Sequence, residues 1–279
     1  MTTKVPNFAH GSLATTGFYV CLTVTRLWAL NPYLSLPLGF VVGLMVGAVL
    51  YVLIIRPLMK RGATFVILMI ATLAFDLLLL GVFNIYADYL SRAHGIQSRY
   101  FILRSFDLRI GDQPALFLAA PALMIVEIGL LHLTLTHTRF GIAMRATVEN
   151  SGLASVMGIN VDLVYATSWL VAGGLAGLSG VLMSLWFMGN PDVGAAMLIS
   201  IFAASVVGGL HNIYGAFLGG FLVGLVEVLG TSYLSNVVGV WIIPYRPIIP
   251  LVIMILTLLT VPKGLAAVNW TRAFRKSKV

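Results

Sequence analysis

Charge, sulfur and the signature loops of enzyme chemistry are all scarce in this sequence. Only 9% of its residues are charged, against about 25% in a soluble domain, so there is too little polar surface to coat a water-soluble globule. The one cysteine, Cys21, excludes an intramolecular disulfide, and its apolar neighbours make it a small buried hydrophobe. No lysine stands in a G-x-x-x-x-G-K-[ST] loop, so the chain lacks that means of cradling ATP phosphates. H-E-x-x-H, a clustered Cys/His set and a G-x-S-x-G elbow are missing as well, and the five histidines are scattered, which leaves hydrolysis inside a membrane without support.

What is present is mostly apolar. Hydrophobic residues make up 59% of the chain and the mean hydropathy is +1.00. Apolar runs near the ~20 residues that cross a bilayer recur along the whole length, which argues against a cleaved signal peptide. The fold class read from this pattern is all-α, a polytopic transmembrane helical bundle. Eight spans are predicted, at about 13–30, 34–55, 64–84, 115–135, 163–189, 192–210, 215–236 and 247–261. Residues 1–279 are read as one membrane domain, with a polar element at 139–160 and a basic tail at 262–279.

Lys and Arg are retained in cytoplasmic loops. Placing 56–63 inside puts 11 of the 17 basic residues on that side, together with both termini. Arg26, Arg92, Arg99, Arg104, Arg109 and Arg246 fall on the other side, and the four arginines of the 85–114 loop run against the rule. The net charge of +8 is dispersed over loops and tail rather than gathered in a stripe, so no nucleic-acid partner is expected; attraction to anionic lipid accounts for the tail.

Small residues recur at every fourth position in Gly39/Gly43/Gly47, Gly173/Gly177 and Ala216/Gly220/Gly224, the spacing that lets helix backbones approach closely in lipid. Three carboxylates, Asp76, Glu127 and Glu227, fall inside predicted spans, where an ionisable group costs about 2.5–3.5 kcal/mol and usually faces protein or water. Asp76 and Glu127 are functional candidates by that rule, but a structural bond to hydroxyls such as Thr64, Thr72 or Thr134 is the preferred reading. Glu227 is read equally as a pathway or interhelix contact and as a structural hydrogen bond.

The polar stretch 139–160, RFGIAMRATVENSGLASVMGIN, reads as a helix, a bend and a second helix of about six residues, roughly 9 Å long. Asn150 or Ser151 caps the second piece, Gly158 ends it in a left-handed conformation, and Arg145 and Glu149 stand at the spacing of an i,i+4 ion pair. So short a helix is unstable in water unless something packs on it, so a partner's groove or the lipid headgroups must cover it. The segment NFAHG, Asn7–Gly11, joins two polar side chains, an aromatic and a glycine at the threshold of a span. Such sequences form the broken helices of transporter sites, or else a plain helix start capped by Ser12. Asn190 and Pro191 break the chain again, as a ligand contact or an ordinary turn.

The stretch Arg139–Asn160, with Glu149, Ala154, Gly158, Ile159 and Asn160, resembles the cytoplasmic coupling loop of the inner-membrane permease subunits of branched-chain amino-acid ABC importers. NFAHG at Asn7–Gly11, NPDVG at Asn190–Gly194, and the glycines from Gly208 through Gly224 to Glu227 occur in the same order as in that family, so the resemblance covers nearly the whole chain. It implies a second permease subunit, identical or related, two ATP-binding cassette subunits that hold the ATP and Mg, and an extracytoplasmic solute-binding protein. No cofactor is expected on this chain, which is not itself an enzyme, and the location implied is the prokaryotic plasma membrane. The coupling residues implied are Arg145, Glu149, Asn150, Ala154, Gly158 and Ile159; the pathway residues are Asn7, Phe8, His10, Gly11, Asn190 and Glu227. The solute implied is a branched-chain amino acid, with urea, an amide or another small solute as alternatives. A proton-coupled transporter using the three carboxylates, and a scaffold without transport, are the readings from other classes.

The chain departs from the family in two places. Relatives usually carry a further apolar span ahead of NFAHG, where this sequence has Met1–Pro6, so either the true start lies further upstream or the subunit works with one helix fewer. Many also place a lysine where Ser200 stands, so no role of that lysine transfers.

Overall fold

In lipid there is little hydrophobic drive between helices, so close van der Waals contact decides which faces meet. The computed structural model describes residues 3, 5–209, 213–261 and 264–265. Eleven α-helices occur among them: α1 His10–Leu22, α2 Ser35–Val49, α3 Arg56–Lys60, α4 Phe65–His94, α5 Leu116–His137, α6 Arg139–Glu149, α7 Ser151–Val156, α8 Val161–Ser184, α9 Val193–Gly208, α10 Ile213–Val238 and α11 Ile248–Thr260. A π-helical turn at Thr23–Leu27 prolongs α1, and another at Leu50–Ile55 joins α2 to α3. Five helices are long and apolar enough to cross a membrane, Pro32–Lys60, Phe65–His94, Leu116–His137, Val161–Ser184 and Tyr214–Val238, and α9 and α11 are shorter apolar helices. The protein is thus a polytopic helical membrane protein. The basic tail, with Lys263, Arg272, Arg275, Lys276 and Lys278, lies outside the described residues, apart from Gly264 and Leu265.

The chain divides into two compact units, Met1–Gly194 and Ala195–Val279. In the first, α8 is the central post. Gly173 meets Gly43, Gly177 meets Gly39, and Gly47 abuts the Trp169 carbonyl, all backbone to backbone. A second face of α8 receives α1, where Gly17 lies on Gly177 and Gly180 on Ala14. A β-carbon at any of these glycines but Gly39 would collide with the neighbouring main chain, and at Gly39 it would run into the Val181 side chain. Two of the glycine stripes seen in the sequence therefore lock into each other.

Helix α1 is enclosed nearly all round, from Gly11 to Leu22, and Cys21 is fully buried. Its register against α4 is constant: Phe8 meets Thr72 and Ser12 meets Asp76, each 64 residues on. Tyr19 stacks on Phe83 at a ring distance of 5.5 Å, and Thr23 shares a 2.7 Å hydrogen bond with Tyr86. The two helices therefore run parallel.

Helix α4 continues ten residues beyond the predicted end at 84. Hydropathy marks where the membrane stops, whereas the sequence IYADYLSRAH sustains a helix until Gly95 adopts φ +65°. At 1.5 Å per residue its 30 residues measure about 45 Å, more than the ~30 Å hydrocarbon core.

In the second unit Ala203, Val207 and Val223 form a small core with Ile253, Met254 and Leu265 packed on it. The stripe expected there is corrected. Gly208 meets Gly215, and Gly219 meets Ala204 and Gly208, while a β-carbon at Gly220 or Gly224 would meet nothing within 4 Å among the described residues. The sequence shows the spacing of small residues but not which of two adjacent rows faces the neighbour.

Gly177→Leu should lower the thermal midpoint sharply, by an overpacking cost on the order of 3 kcal/mol, and reduce the monodisperse yield in detergent. Gly224→Leu should leave both unchanged in the isolated chain. Equal behaviour of the two variants in a fluorescence-detected thermal scan would contradict this packing.

Candidate functional site

The first candidate locus lies inside the apolar bundle. Asp76 is the twelfth residue of α4, counting from Phe65, so it stands about 17 Å along the helix, near mid-depth of a ~30 Å core. Ser12 Oγ donates to Asp76 Oδ1 at 2.6 Å, and both residues are buried. Four residues earlier on each strand of this register, Thr72 Oγ1 accepts from the Phe8 amide at 3.2 Å and donates to the Met69 carbonyl at 2.8 Å. The Asn7 side chain accepts from the Ala9 amide at 3.1 Å. Residues 5–9 are thus non-helical at membrane depth, which is tolerated only where such backbone is covered by protein or lines a cavity.

Both conditions are met. Thr3, Val5, Asn7 and His10 line a cavity of about 150 Å³ with Ser168, Trp169 and Ala172 of α8. It is smaller than the roughly 300–1,000 Å³ of sites that bury drug-sized ligands, so it suits water or a small polar group. On the neighbouring face Gly11 lies directly on Gly194, with Thr15 beside it. The segments Asn7–Gly11 and Asn190–Gly194, 183 positions apart in the sequence, therefore meet through their final glycines. The Asn190 Oδ1 atom is shielded from solvent with no hydrogen-bond partner among the described residues. Leaving such an acceptor unsatisfied costs about 1–3 kcal/mol, so it is ready for a donor.

Several expectations are corrected here. Ser12 is not a helix cap: Ala9 occupies the N-cap without a side-chain bond, and the Ser12 hydroxyl serves Asp76 instead. Asp76 has the hydroxyl partner expected of it, but the hydroxyl is that of Ser12 rather than of Thr64 or Thr72. Thr134 donates to the Leu131 carbonyl, and Glu127 has no hydrogen bond or ion pair among the described residues. Glu227 lies in the second unit, 8% exposed, paired to Arg246 Nε at 2.6 Å. That ion pair ties α10 to the connection before α11, so within its unit Glu227 has a structural bond. Ser168 and Trp169 were missed, since only the fold brings α8 to the start of α1.

The second locus is the elbow between α5 and α8. Each bend carries a side-chain cap. Thr138 accepts from the Gly141 amide at 3.1 Å, Asn150 from Leu153 at 3.0 Å and Asn160 from Leu163 at 3.0 Å. The six-residue α7 ends at Gly158, φ +83°, with the Ile159 amide donating to the Ala154 carbonyl and the Gly158 amide to Ser155, each at 3.0 Å. This is the double closure that satisfies the last helical carbonyls. Arg145 and Glu149 are both exposed but do not pair; Arg145 donates to the Leu135 carbonyl at the end of α5, and Gly141 is jammed against the same carbonyl. The geometry of the α5–α6 corner competes successfully with an exposed ion pair worth only tenths of a kcal/mol.

Ala154 is the one buried residue of α7 and faces its own chain. Leu153, Val156 and Met157 face outward at 61%, 83% and 76% exposure, with Ile142 of α6 also exposed. At the far side of the elbow Asp162 accepts from the Tyr51 hydroxyl at 2.7 Å and pairs with Arg56 at 2.6 Å, so the foot of α8 is braced to the α2–α3 helix.

The model of the family described as branched-chain amino acid transport system, permease component, matches residues 1–258. The chain is 45% identical, over 99% of its length and 87% of the relative's, to a Methanocaldococcus jannaschii protein named "Probable branched-chain amino acid transport permease protein LivH". It is 27% identical, over 93% of its length and 85% of the relative's, to the high-affinity branched-chain amino acid transport system permease protein BraD of Pseudomonas aeruginosa. The LivH permease of the Escherichia coli high-affinity system is 32% identical over 51% of this chain and 45% of its own length. No solved structure matches.

Ser12→Ala should destabilise the protein by about 1.5–3 kcal/mol, because it strands a buried carboxylate. Asp76→Asn keeps an acceptor for Ser12 and should cost less. Thermal unfolding in detergent measures both, and a milder effect for Ser12→Ala would refute the pairing.

Proposed function

The chain belongs to the family of permease components of branched-chain amino-acid transport systems, and from that premise we propose how it works: as the membrane-spanning subunit of an ABC importer, driven at its elbow. A second permease subunit, a copy or a relative, completes the pore. Two ATP-binding cassette subunits, which carry ATP and Mg, grip residues 139–160 from the cytoplasm. A solute-binding protein delivers the solute on the other side, and the membrane is the prokaryotic plasma membrane with both termini cytoplasmic. The solute is a small polar molecule, most consistently a branched-chain amino acid, which is what the named relatives carry.

The observation that carries this reading is the outward face of α7. Six residues are too few for a helix to persist in water, yet this one is capped at both ends and, with Met157 at its C-cap, exposes three large apolar side chains. Such a face suits a groove on another protein. Arg145 and Gly141 fasten the elbow to α5, and Asp162 fastens it to α2–α3 through α8, so a push on α7 reaches the spanning helices without slack. In the proposed cycle nucleotide binding draws the two elbows together and hydrolysis releases them, switching the cavity between outward and inward access. Glu149, Asn150 and Gly158 remain exposed for direct contact, while Ala154 acts by seating α7. Near mid-depth, Asn7, Phe8, His10, Gly11 and Asn190 are the pathway residues. A proton-coupled mechanism is less well served, since Asp76 and Glu227 are already bonded inside the chain.

Leu153→Asp with Val156→Asp should reduce co-purification of the ATPase subunits by about a hundredfold or more, because burying each of the two side chains is worth about 1.5–3 kcal/mol. The thermal midpoint of the permease alone should not move, as both positions are exposed. Undiminished co-purification, or solute uptake by the permease alone under a pH gradient, would refute the proposal.

A further inference from the structure

Of the three carboxylates inside spanning helices, two are already compensated, Asp76 by Ser12 and Glu227 by Arg246. Glu127 has no hydrogen bond or ion pair among the described residues. It is the twelfth residue of α5, about 17 Å from the first, and so stands as deep along its helix as Asp76 does along α4.

Helix α5 is covered on one side only. Leu116, Ala120, Leu123, Leu131 and Leu135 are half-buried, with Glu127, also half-buried, in the middle of their row. At 100° per residue these five fall within about 80° of Glu127, whereas Leu118, Ile125 and Leu133 fall at least about 120° away and are 63%, 67% and 54% exposed. Even the covered side is unsealed. No residue of α5 is buried, and Leu130 and Thr134, one and two turns on from Glu127, are exposed. The helix is fastened at its ends instead. The Leu116 amide donates to Asp107, the Phe117 ring meets Trp186 edge-on at 5.4 Å, and the Leu135 carbonyl accepts from Arg145.

A carboxylate on the covered side of a spanning helix, beside space the protein does not fill, requires a counter-charge. The sequence does not hold one at that level. No Lys or Arg stands in the middle of a spanning helix, so neither this chain nor a second copy of it supplies such a cation. His132 is about 140° round α5 from Glu127, and its ring meets that of His137. The cation must therefore arrive from outside.

We infer that Glu127 is the counter-charge for the ammonium group of the transported solute at mid-depth, with Leu123 and Leu131, one turn to either side, receiving an aliphatic side chain. The inference rests on the importer reading above and narrows its solute. An amino acid with an apolar side chain brings the missing cation, whereas urea or an amide brings none. Such a site also rejects analogues that lack the charge, because they would leave the carboxylate unpaired.

The test uses the whole importer, permease and ATPase subunits together, in proteoliposomes supplied with the solute-binding protein and radiolabelled leucine. Glu127→Gln should slow ATP-driven leucine uptake at least about tenfold, since one partner of a desolvated charge pair is lost. ATPase co-purification and the thermal midpoint should not change, because Glu127 is bonded to nothing within the chain. Glu127→Asp, which keeps the charge, should retain more uptake than Glu127→Gln. Glu127→Cys should be slow, recover when sulfonatoethyl methanethiosulfonate restores a negative charge, and stay slow with the aminoethyl reagent, the wild type treated likewise serving as control. Undiminished uptake by Glu127→Gln, or uptake lost together with a fall in the thermal midpoint, would overturn the inference. So would a cysteine that reacts with neither reagent, as it would facing lipid or a subunit seam, or one that responds equally to both. A wild type that imports urea or an amide but not leucine would overturn it and leave the importer reading standing; a wild type with no ATP-driven uptake of any of the three would defeat that reading itself.

Discussion

Everything in the amino-terminal unit depends on how closely other backbones approach α8. Water does not drive helices together inside a bilayer, and side chains long enough to fill a gap would hold the axes apart. Glycine removes that separation on two faces of one helix, at Gly173 and Gly177 toward α2 and at Gly177 and Gly180 toward α1. Gly177 serves both contacts. The dispersion and weak Cα–H···O contacts made at such distances are individually small, but they recur along the crossing. The result is a three-helix post in which α1 is almost wholly enclosed despite its hydroxyl-rich sequence.

That enclosure explains why polar chemistry survives at mid-depth. Thr15 and Thr16 turn their hydroxyls back to the carbonyls of Gly11 and Ser12, which leaves Ser12 for Asp76 and Thr72 for the main chain around Phe8. Each bond fixes α1 against α4 in a single register, since a slip of one residue would strand a carboxylate in an apolar environment. The irregular stretch ahead of His10 is therefore held as firmly as a helix, and the cavity beside Asn7 and His10 is bounded by rigid walls. A permease that alternates access needs such blocks, because coupling between distant sites is carried by elements that move whole rather than deform.

Much of this was legible in the sequence. Apolar runs located the helices, the glycine spacing located the close contacts of α2 and α8, and Asn150 and Gly158 announced both ends of α7. Resolution was lost wherever tertiary contact decided. The amphipathic tail of α4 was hidden because hydropathy stops at the membrane surface while helix propensity does not. Ser12 looks like a cap from its position, and only the fold shows an acid facing it. Arg145 and Glu149 have ideal spacing, yet the Leu135 carbonyl is the nearer acceptor. Glu227 and Arg246 lie 19 residues apart across a turn with Gly239 and Pro244, a separation no periodicity reveals.

The single sulfhydryl of the chain has a different consequence. Cys21 sits in the closed interior of α1, with no exposed surface and Thr25 Oγ1 3.8 Å away. A thiol in such surroundings is a poor nucleophile and is inert to alkylating and oxidising reagents. The wild-type molecule therefore serves as its own blank for maleimide and spin-label chemistry: a reactive sulfur engineered at any outer position will report on that position alone.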